Sequence, residues 1–477
     1  MKPLMYYLKK KELTYIILVA AILLPLLIYL IRIEIGEPLL GQESYLHLLK
    51  AELSQAGSLD ELGLLSDAKG IFTPYDFILS FSPIGFSYFL PLLSGFFSLL
   101  LFWMILKELK VKLFMINSIL GLTVLSPMYL HFSTYSNGLG FSFLLYILGF
   151  YLFIKQKKNY MYYSFLIFLL LLLMGVLHGV FLIATLLIYT HLTKKQIYEA
   201  RKLSIELFLS GVLFYGYQLL QFGFPKFQNV TISLFLTFFS DIGATTGFSI
   251  FNLLLIGIGV LLLWEKKRKY FPMFILLGII SLIALFFPIS TLYLLIPFQI
   301  IAAYGLYKIQ EMKWELSRLK KYSIFLVIIG LFFSSITFMT TSIKSEPHQQ
   351  KIEALQWLKT QEPGVVLSFQ DYGYLIEQVS RKKAFLEPTH MYLTDLAYKQ
   401  NLSQVLFSTR NLKKAKFLLD EASIDYIFID EPMKNGLIWK NDEEGLLFLF
   451  RNNETFKNVY LLSGVEIWKV LRNGITK

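Results

Sequence analysis

The strongest constraint on this chain is a recurrence of long apolar segments. They fall at 13–33, 83–106, 113–131, 138–154, 160–174, 176–192, 203–224, 247–264, 271–287, 289–307 and 323–343, about eleven in all. Roughly 20 consecutive apolar residues suffice to cross the hydrocarbon core of a bilayer. No water reaches backbone N–H and C=O groups there, so such segments must be helices. The pattern dictates a polytopic α-helical membrane protein. Two pairs, 160–192 and 271–307, divide only at tight turns, around Gly175–Gly179 and at Phe287-Pro288. An aromatic share of 17% suits lipid-facing and interfacial packing.

The formal charge of +12 raises the question of nucleic acid. Its placement answers it. Lys9-Lys10-Lys11, Lys107 to Lys112, Lys155 to Lys158, Lys194 to Lys202, Lys266 to Lys269 and Lys308 to Lys321 occupy alternate short loops. Basic residues concentrated on one side of the spans mark the cytoplasmic face. A multi-pass plasma-membrane protein follows, with a cytoplasmic N-terminus, an external C-terminus and no nucleic-acid partner. The segment from Leu13 to Ile33 is too long for a signal peptide and has no small-residue cleavage site, so it reads as a retained first span. The chain has no cysteine, which excludes disulfides, thiolate metal sites and a cysteine nucleophile.

The external loops differ in kind from the cytoplasmic ones. Residues 34–82 form the longest and residues 225–246 a second, ending Ser240-Asp241-Ile242-Gly243. Three Asn-x-Ser/Thr acceptors, at Asn229, Asn401 and Asn453, all fall on the external side. After Ser345-Glu346-Pro347 the apolar pattern stops. Helices are expected at 348–360, 372–379, 392–407 and 411–422, strands at 365–368, 384–386 and 424–429, and a hairpin over 456–471 turning at Ser463-Gly464. The expected organisation is a membrane domain, 1–343, followed by an extracytoplasmic α/β domain, 344–477.

One stretch stands out chemically: Gly36-Glu37-Pro38 through Lys50, with Glu37, Glu43, Tyr45 and His47 beside the first span. Carboxylates and imidazole are costly to keep dry at a bilayer surface, so such a cluster points to function. The plainer alternative is a solvated juxtamembrane helix in which Glu43 and His47 are i, i+4 neighbours. Phosphate-loop, dinucleotide and paired-histidine zinc signatures are absent.

Three separated stretches carry a resemblance. Glu43-Ser44-Tyr45-Leu46-His47-Leu48 resembles the D-x-x-Y-H-L element of the oligosaccharyltransferase catalytic subunit and its archaeal relatives, which belong to the GT-C class of polytopic glycosyltransferases. Ser240-Asp241-Ile242-Gly243-Ala244-Thr245-Thr246-Gly247 is similar to that family's fifth external loop. Ala354-Leu355-Gln356-Trp357-Leu358-Lys359, followed by Ser368-Phe369-Gln370-Asp371-Tyr372-Gly373-Tyr374, resembles the W-L-K helix and W-W-D-Y-G signature. Departures accompany the likeness. Phe369 and Gln370 stand where the family has two tryptophans that help hold the acceptor sequon. The stretch Met128 to Asn137 has no carboxylate where the family has an acidic pair. Ile289 stands where the family has a phosphate-gripping arginine.

The resemblance implies transfer of a sugar or glycan from a polyprenyl (dolichyl) phosphate-linked donor to an extracytoplasmic protein or glycan acceptor. It places Glu43 on the catalytic, metal-binding aspartate and His47 on the family histidine; Glu37 is the second choice for the base, because Gly36 and Pro38 fix its backbone at the mouth of the first span. Asp241 would position the acceptor or, with Glu43, bind a divalent cation such as Mg or Mn; a helix cap for the eighth span is its other reading. With so few carboxylates, a metal-independent route remains open, in which His47, Lys50 or Arg32 faces the phosphate. Tyr45, Asp371, Tyr372 and Gly373 complete the substrate-side set, although the last three also read as architecture, a helix cap and an aromatic facing the membrane domain. His131 and His178 lie at external span ends and read first as packing histidines. A catalytically inactive scaffold or partner subunit and a transporter are the competing functions. Against a transporter, the spans from 83 to 343 hold almost no mid-membrane charge.

Overall fold

The computed structural model describes residues 10–36, 39–58, 72–83, 85–155, 158–193, 197–222, 239–242, 247–287, 290–388 and 396–472. Each apolar segment is helical. In chain order the helices are α1 (Lys11–Ile35), α2 (Glu43–Gln55), α3 (Pro74–Ser80), α4 (Phe86–Glu108), α5 (Leu113–Val124), α6 (Pro127–Thr134), α7 (Leu139–Ile154), α8 (Lys158–Met174), α9 (Val176–Thr193), α10 (Ile197–Phe222), α11 (Ile250–Trp264), α12 (Lys267–Phe286), α13 (Thr291–Glu311) and α14 (Ser317–Ile343). Among the described residues, five helices are long and apolar enough to cross a membrane: α1, α4, α10, α13 and α14. The segment 113–131 is not one straight helix. It breaks into α5 and α6 with a 61° bend, because Pro127 has no N–H to continue the ladder and its ring disfavours a helical residue before it. Counted as one span, that pair makes a sixth.

The faces of α1 show how the bundle meets lipid. Ile16, Val19, Leu23, Leu27 and Leu30 are exposed, whereas Leu18, Ala21, Ile28 and Tyr29 are buried. An apolar residue left exposed on one side of an apolar helix is a lipid contact, not a packing failure. On the inner side, α11 and α13 approach at Gly259 and Gly305. A methyl group at Gly259 would sit 2.3 Å from the Ile301 carbonyl, and one at Gly305 2.6 Å from that of Leu255, so only glycine permits this crossing.

Beyond α14 come α15 (Gln349–Lys359), β1 (Val365–Leu367), a 3-10 turn (Gln370–Tyr372), α16 (Gly373–Ser380), β2 (Lys383–Ala384), α17 (Leu396–Ser408), α18 (Leu412–Glu421), β3 (Ile424–Ile429), α19 (Gly445–Leu449), β4 (Phe456–Leu462) and β5 (Val465–Val470). The sheet order is β2-β1-β3-β5-β4. β1 pairs in parallel with β2 and β3, each reached through helices, as parallel pairing requires. β5 joins β3 antiparallel, with Ile427 opposite Trp468, and closes with β4 as a hairpin. Its two-residue turn, Ser463-Gly464, has φ of 48° and 82°, the left-handed pair that a twisted hairpin favours.

Two apolar cores result. One lies in the helical bundle, the other around the sheet. The second also takes in Leu39, Tyr45, Leu46 and Leu48, so one face of α2 belongs to the globule, not to the bundle.

Candidate active site

Helix α2 is held from both sides. Its apolar face packs on α16 and the globule, and its polar face meets α3. Short α3 begins with Thr73-Pro74-Tyr75-Asp76. The Thr73 N–H and hydroxyl donate to Asp76 Oδ2 at 2.8 and 2.9 Å, and Asp76 N–H returns to Thr73 Oγ1 at 3.3 Å, a reciprocal cap with proline in the first turn. Asp76 is fully buried. From α2, His47 Nδ1 lies 2.6 Å from Asp76 Oδ1, and Lys50 Nζ lies 3.8 Å from Oδ2. Burial by itself would raise the Asp76 carboxyl. His47 and Lys50, with the Thr73 N–H, outweigh it and hold the group below the ordinary aspartate value. Tyr75 sets its ring edge-on to His47 at 5.1 Å and shares a 2.6 Å hydrogen bond with Ser136, which donates to the Ser87 carbonyl at 3.0 Å. That chain ties the site to the top of α4 and to the α6–α7 connection.

Glu43 opens α2, one turn before His47. The residue is exposed; the protein packed near its carboxyl raises it above the ordinary glutamate value, with His47 acting in the opposite direction. Tyr374 of α16, buried on the globule side, donates to the Pro388 carbonyl at 2.9 Å, and burial, then Glu387 and Glu377, with Glu43 last, raise its phenol well above the ordinary value. Tyr45 lines a cleft of about 730 Å³ between α2 and the globule. Glu52 bridges that cleft by an ion pair with Arg381 and accepts from Gln378 at 3.2 Å.

The remaining candidates occupy other places. Arg32, fully buried, donates to four carbonyls: Ile343 at 3.1 Å, Ser345 at 2.6 Å, Leu39 at 3.1 Å and Pro347 at 3.3 Å. It clamps the end of α1 to the junction between α14 and the globule. The Asp241 carboxylate accepts the N–H of Ile250, the first residue of α11, at 2.6 Å, and so supplements the N-cap of that helix, Ser249, whose hydroxyl accepts the Asn252 N–H at 3.1 Å. Tyr372 turns into the globule, donating to Asp430 Oδ2 at 2.7 Å and accepting from Lys351 at 2.8 Å; Lys351 also pairs with Asp430 and, at 2.8 Å, with Glu346. Burial beside Asp430 drives the Tyr372 phenol far above its ordinary value. Asp371 keeps an exposed edge, with its carboxyl raised by the protein around it. A side chain at Gly373 would meet the Leu386 carbonyl at 2.4 Å, which is why this turn needs glycine. His131 is buried and stacks on Tyr135 at 4.1 Å, and His178 is buried and hydrogen-bonded to Tyr293. Glu37, residues 243–246 and Ile289 lie outside the described residues.

These donors do not fit a divalent cation. Oxygen-preferring cations need several carboxylate or carbonyl ligands. Asp76 is saturated by His47, Lys50 and Thr73, Asp241 holds a helix end, and no group of three His, Asp or Glu side chains among the described residues could enclose an ion. Asp76 is the site residue that reading the chain did not single out. Its signal was present, since Thr-Pro-x-Asp inside a loop marks a capped helix start.

No protein-family model and no curated protein matches the chain. Solved structures do. The Archaeoglobus fulgidus oligosaccharyltransferase tethered to an acceptor peptide with an NVT sequon matches with a TM-score of 0.60 at 13% identity, over 97% of this chain and 74% of that one. The same enzyme in complex with Zn and sulfate matches with a TM-score of 0.58 at 14% identity, over 95% and 73%. ArnT from Cupriavidus metallidurans bound to undecaprenyl phosphate matches with a TM-score of 0.53 at 11% identity, over 96% and 98%. The chain shares their fold, that of the GT-C membrane glycosyltransferases.

Proposed function

We propose that this chain, built on the GT-C fold, moves a sugar or glycan from a polyprenyl-phosphate-linked donor to an acceptor on the external face of the membrane. The observation that carries the reading is the place of Glu43, one helical turn from His47 and its partner Asp76, on the helix wedged between bundle and globule. A general base works best when its pKa approaches the working pH. Glu43 takes the proton of, or orients, the acceptor nucleophile. With Nδ1 engaged by Asp76, His47 meets the departing phosphate through Nε2, and Lys50 adds positive charge behind it. The neighbours bound to an acceptor peptide and to undecaprenyl phosphate support both halves of this reading at the level of fold.

The same reading sets the membrane arrangement. About eleven apolar helices, the shorter ones included, lie in a plasma membrane with the N-terminus cytoplasmic. Residues 1–343 form the membrane domain and 344–477 the extracytoplasmic one. An inactive scaffold is the second reading, favoured by the stretch from Met128 to Asn137, which has no carboxylate where the resembled family has an acidic pair.

Purified protein in nanodiscs, given a radiolabelled polyprenyl-phosphate sugar and external acceptors, tests the proposal. Turnover by the wild type, lost in Glu43→Gln at an unchanged melting temperature, is the expected result. No turnover by the wild type with any acceptor favours the scaffold, and solute flux without lipid favours a transporter.

A further inference from the structure

A second cleft, of about 830 Å³, lies wholly within the globule. Its walls are the 3-10 turn Gln370–Tyr372, helix α17 and the segment from Leu437 to Gly445. Helix α17 turns Gln400, Gln404 and Phe407 to it, an i, i+4, i+7 face. Gln400 donates to Gln370 Oε1 at 3.2 Å, which brings the amides of α17 and the turn together. Phe369 stands beside them, half-buried. At the rim the Arg410 guanidinium lies over the Phe448 ring, 4.4 Å from its centroid, with Glu443 and Glu444 also on the lining.

We propose that this cleft binds a carbohydrate chain. A glutamine amide offers a donor and an acceptor in one plane, which matches the paired hydroxyls of a pyranose, and an aromatic ring offers a face to its C–H side. Three such amides and Phe369 converge here. A phosphate-rich ligand is disfavoured, because the lining carries two glutamates against one arginine. An extended peptide is disfavoured too, because none of the described residues on the lining belongs to a strand that could pair with it. Naming the bound chain as the acceptor rests on the transferase reading; the binding itself does not. The cleft borders the element that packs on the helix of the candidate base: Gln370 lies in the turn that leads into α16, and α16 packs against α2, which begins at Glu43.

Full-length protein in nanodiscs is probed on a printed array of neutral and acidic oligosaccharides, with a hexapeptide carrying Asn-Val-Thr as competitor. The expected result is binding to one group of glycans, untouched by the peptide and weakened about tenfold or more by Gln404→Ala and by Gln370→Ala, a fold-change of the size set by one lost hydrogen bond. Gln404 is exposed, so its variant keeps the proposal testable if the Gln370 variant melts early. Binding to no printed glycan, binding indifferent to both substitutions, or displacement by the peptide overturns it. Transfer measured in parallel separates the two readings. Transfer without glycan binding removes this inference alone, and cleft-dependent binding without transfer removes the transferase alone.

Discussion

His47 and Asp76 lie 29 residues apart in sequence and meet at 2.6 Å, imidazole Nδ1 against carboxylate Oδ1. The contact orients the ring of the histidine that follows Glu43 by one turn, and it buries a carboxylate that has Lys50 on its other oxygen. Removing one member of a buried charged group leaves the others desolvated and uncompensated, and that penalty exceeds the worth of the pair itself. Asp76 is therefore a positioning residue on which α2 and α3 both depend.

Asp76→Asn is expected to lower stability by about 3–5 kcal/mol near neutral pH. The folded-state carboxyl is held below its ordinary value, so its contribution is present above the ordinary aspartate range and is lost as pH falls through the lowered value. Wild type and variant should therefore converge in acid. Thermal unfolding in detergent at several pH values measures this, and a deficit near 1 kcal/mol at neutral pH would reduce Asp76 to a helix cap.

For Glu43, the raised carboxyl places the acid limb of the pH–rate profile above the ordinary glutamate range, since a base must lose its proton to act. Glu43→Gln should cost roughly 10²- to 10⁴-fold in rate and erase that limb. A variant that keeps both the rate and the limb would take Glu43 out of the reaction.

Arg32→Ala removes the donor to four carbonyls that join α1, Leu39 and the α14–globule junction. Buried charge-assisted bonds contribute about 1.5–3 kcal/mol each before non-additivity, so the globule should loosen from the bundle. Limited proteolysis between α14 and α15 reports it. Arg32→Lys should not rescue, because an ammonium group lacks the planar fork that serves several acceptors at once.

Gly373→Ala forces a methyl group against the Leu386 carbonyl and the Glu387 backbone. Overpacking of this kind costs about 1–3 kcal/mol. The melting temperature of the globule should fall. An unchanged value would mean that β2 and its flanking strand shift freely.

Chelation is expected to leave transfer within about twofold, because the proposed mechanism sets His47 and Lys50, not a metal, against the leaving phosphate. Loss of activity to EDTA with recovery on adding Mg²⁺ would show instead a cation held with help from outside the described residues, Glu37 foremost.

Much of the architecture was legible because periodicity reports local burial. The apolar runs became helices, and alternation and turn chemistry located β1, β3 and the hairpin at Ser463-Gly464. The break at Pro127 was not legible: 113–131 read as one span, and Pro25, Pro91, Pro272 and Pro297 all lie inside helices that continue through them.

Partner choice was not legible. Nothing local to Tyr45, Leu46 and Leu48 says that their face joins a core assembled 300 residues later, and nothing local to His47 says that Asp76 is its counter-charge. A side chain's polarity sets whether it needs a partner; only the packing of distant segments sets which one it finds. The chain alone thus determined a membrane bundle, an α/β globule and an acidic loop between them, and the tertiary structure alone decided that Arg32 clamps, Asp241 caps, and His47 and Asp76 stand together beside Glu43.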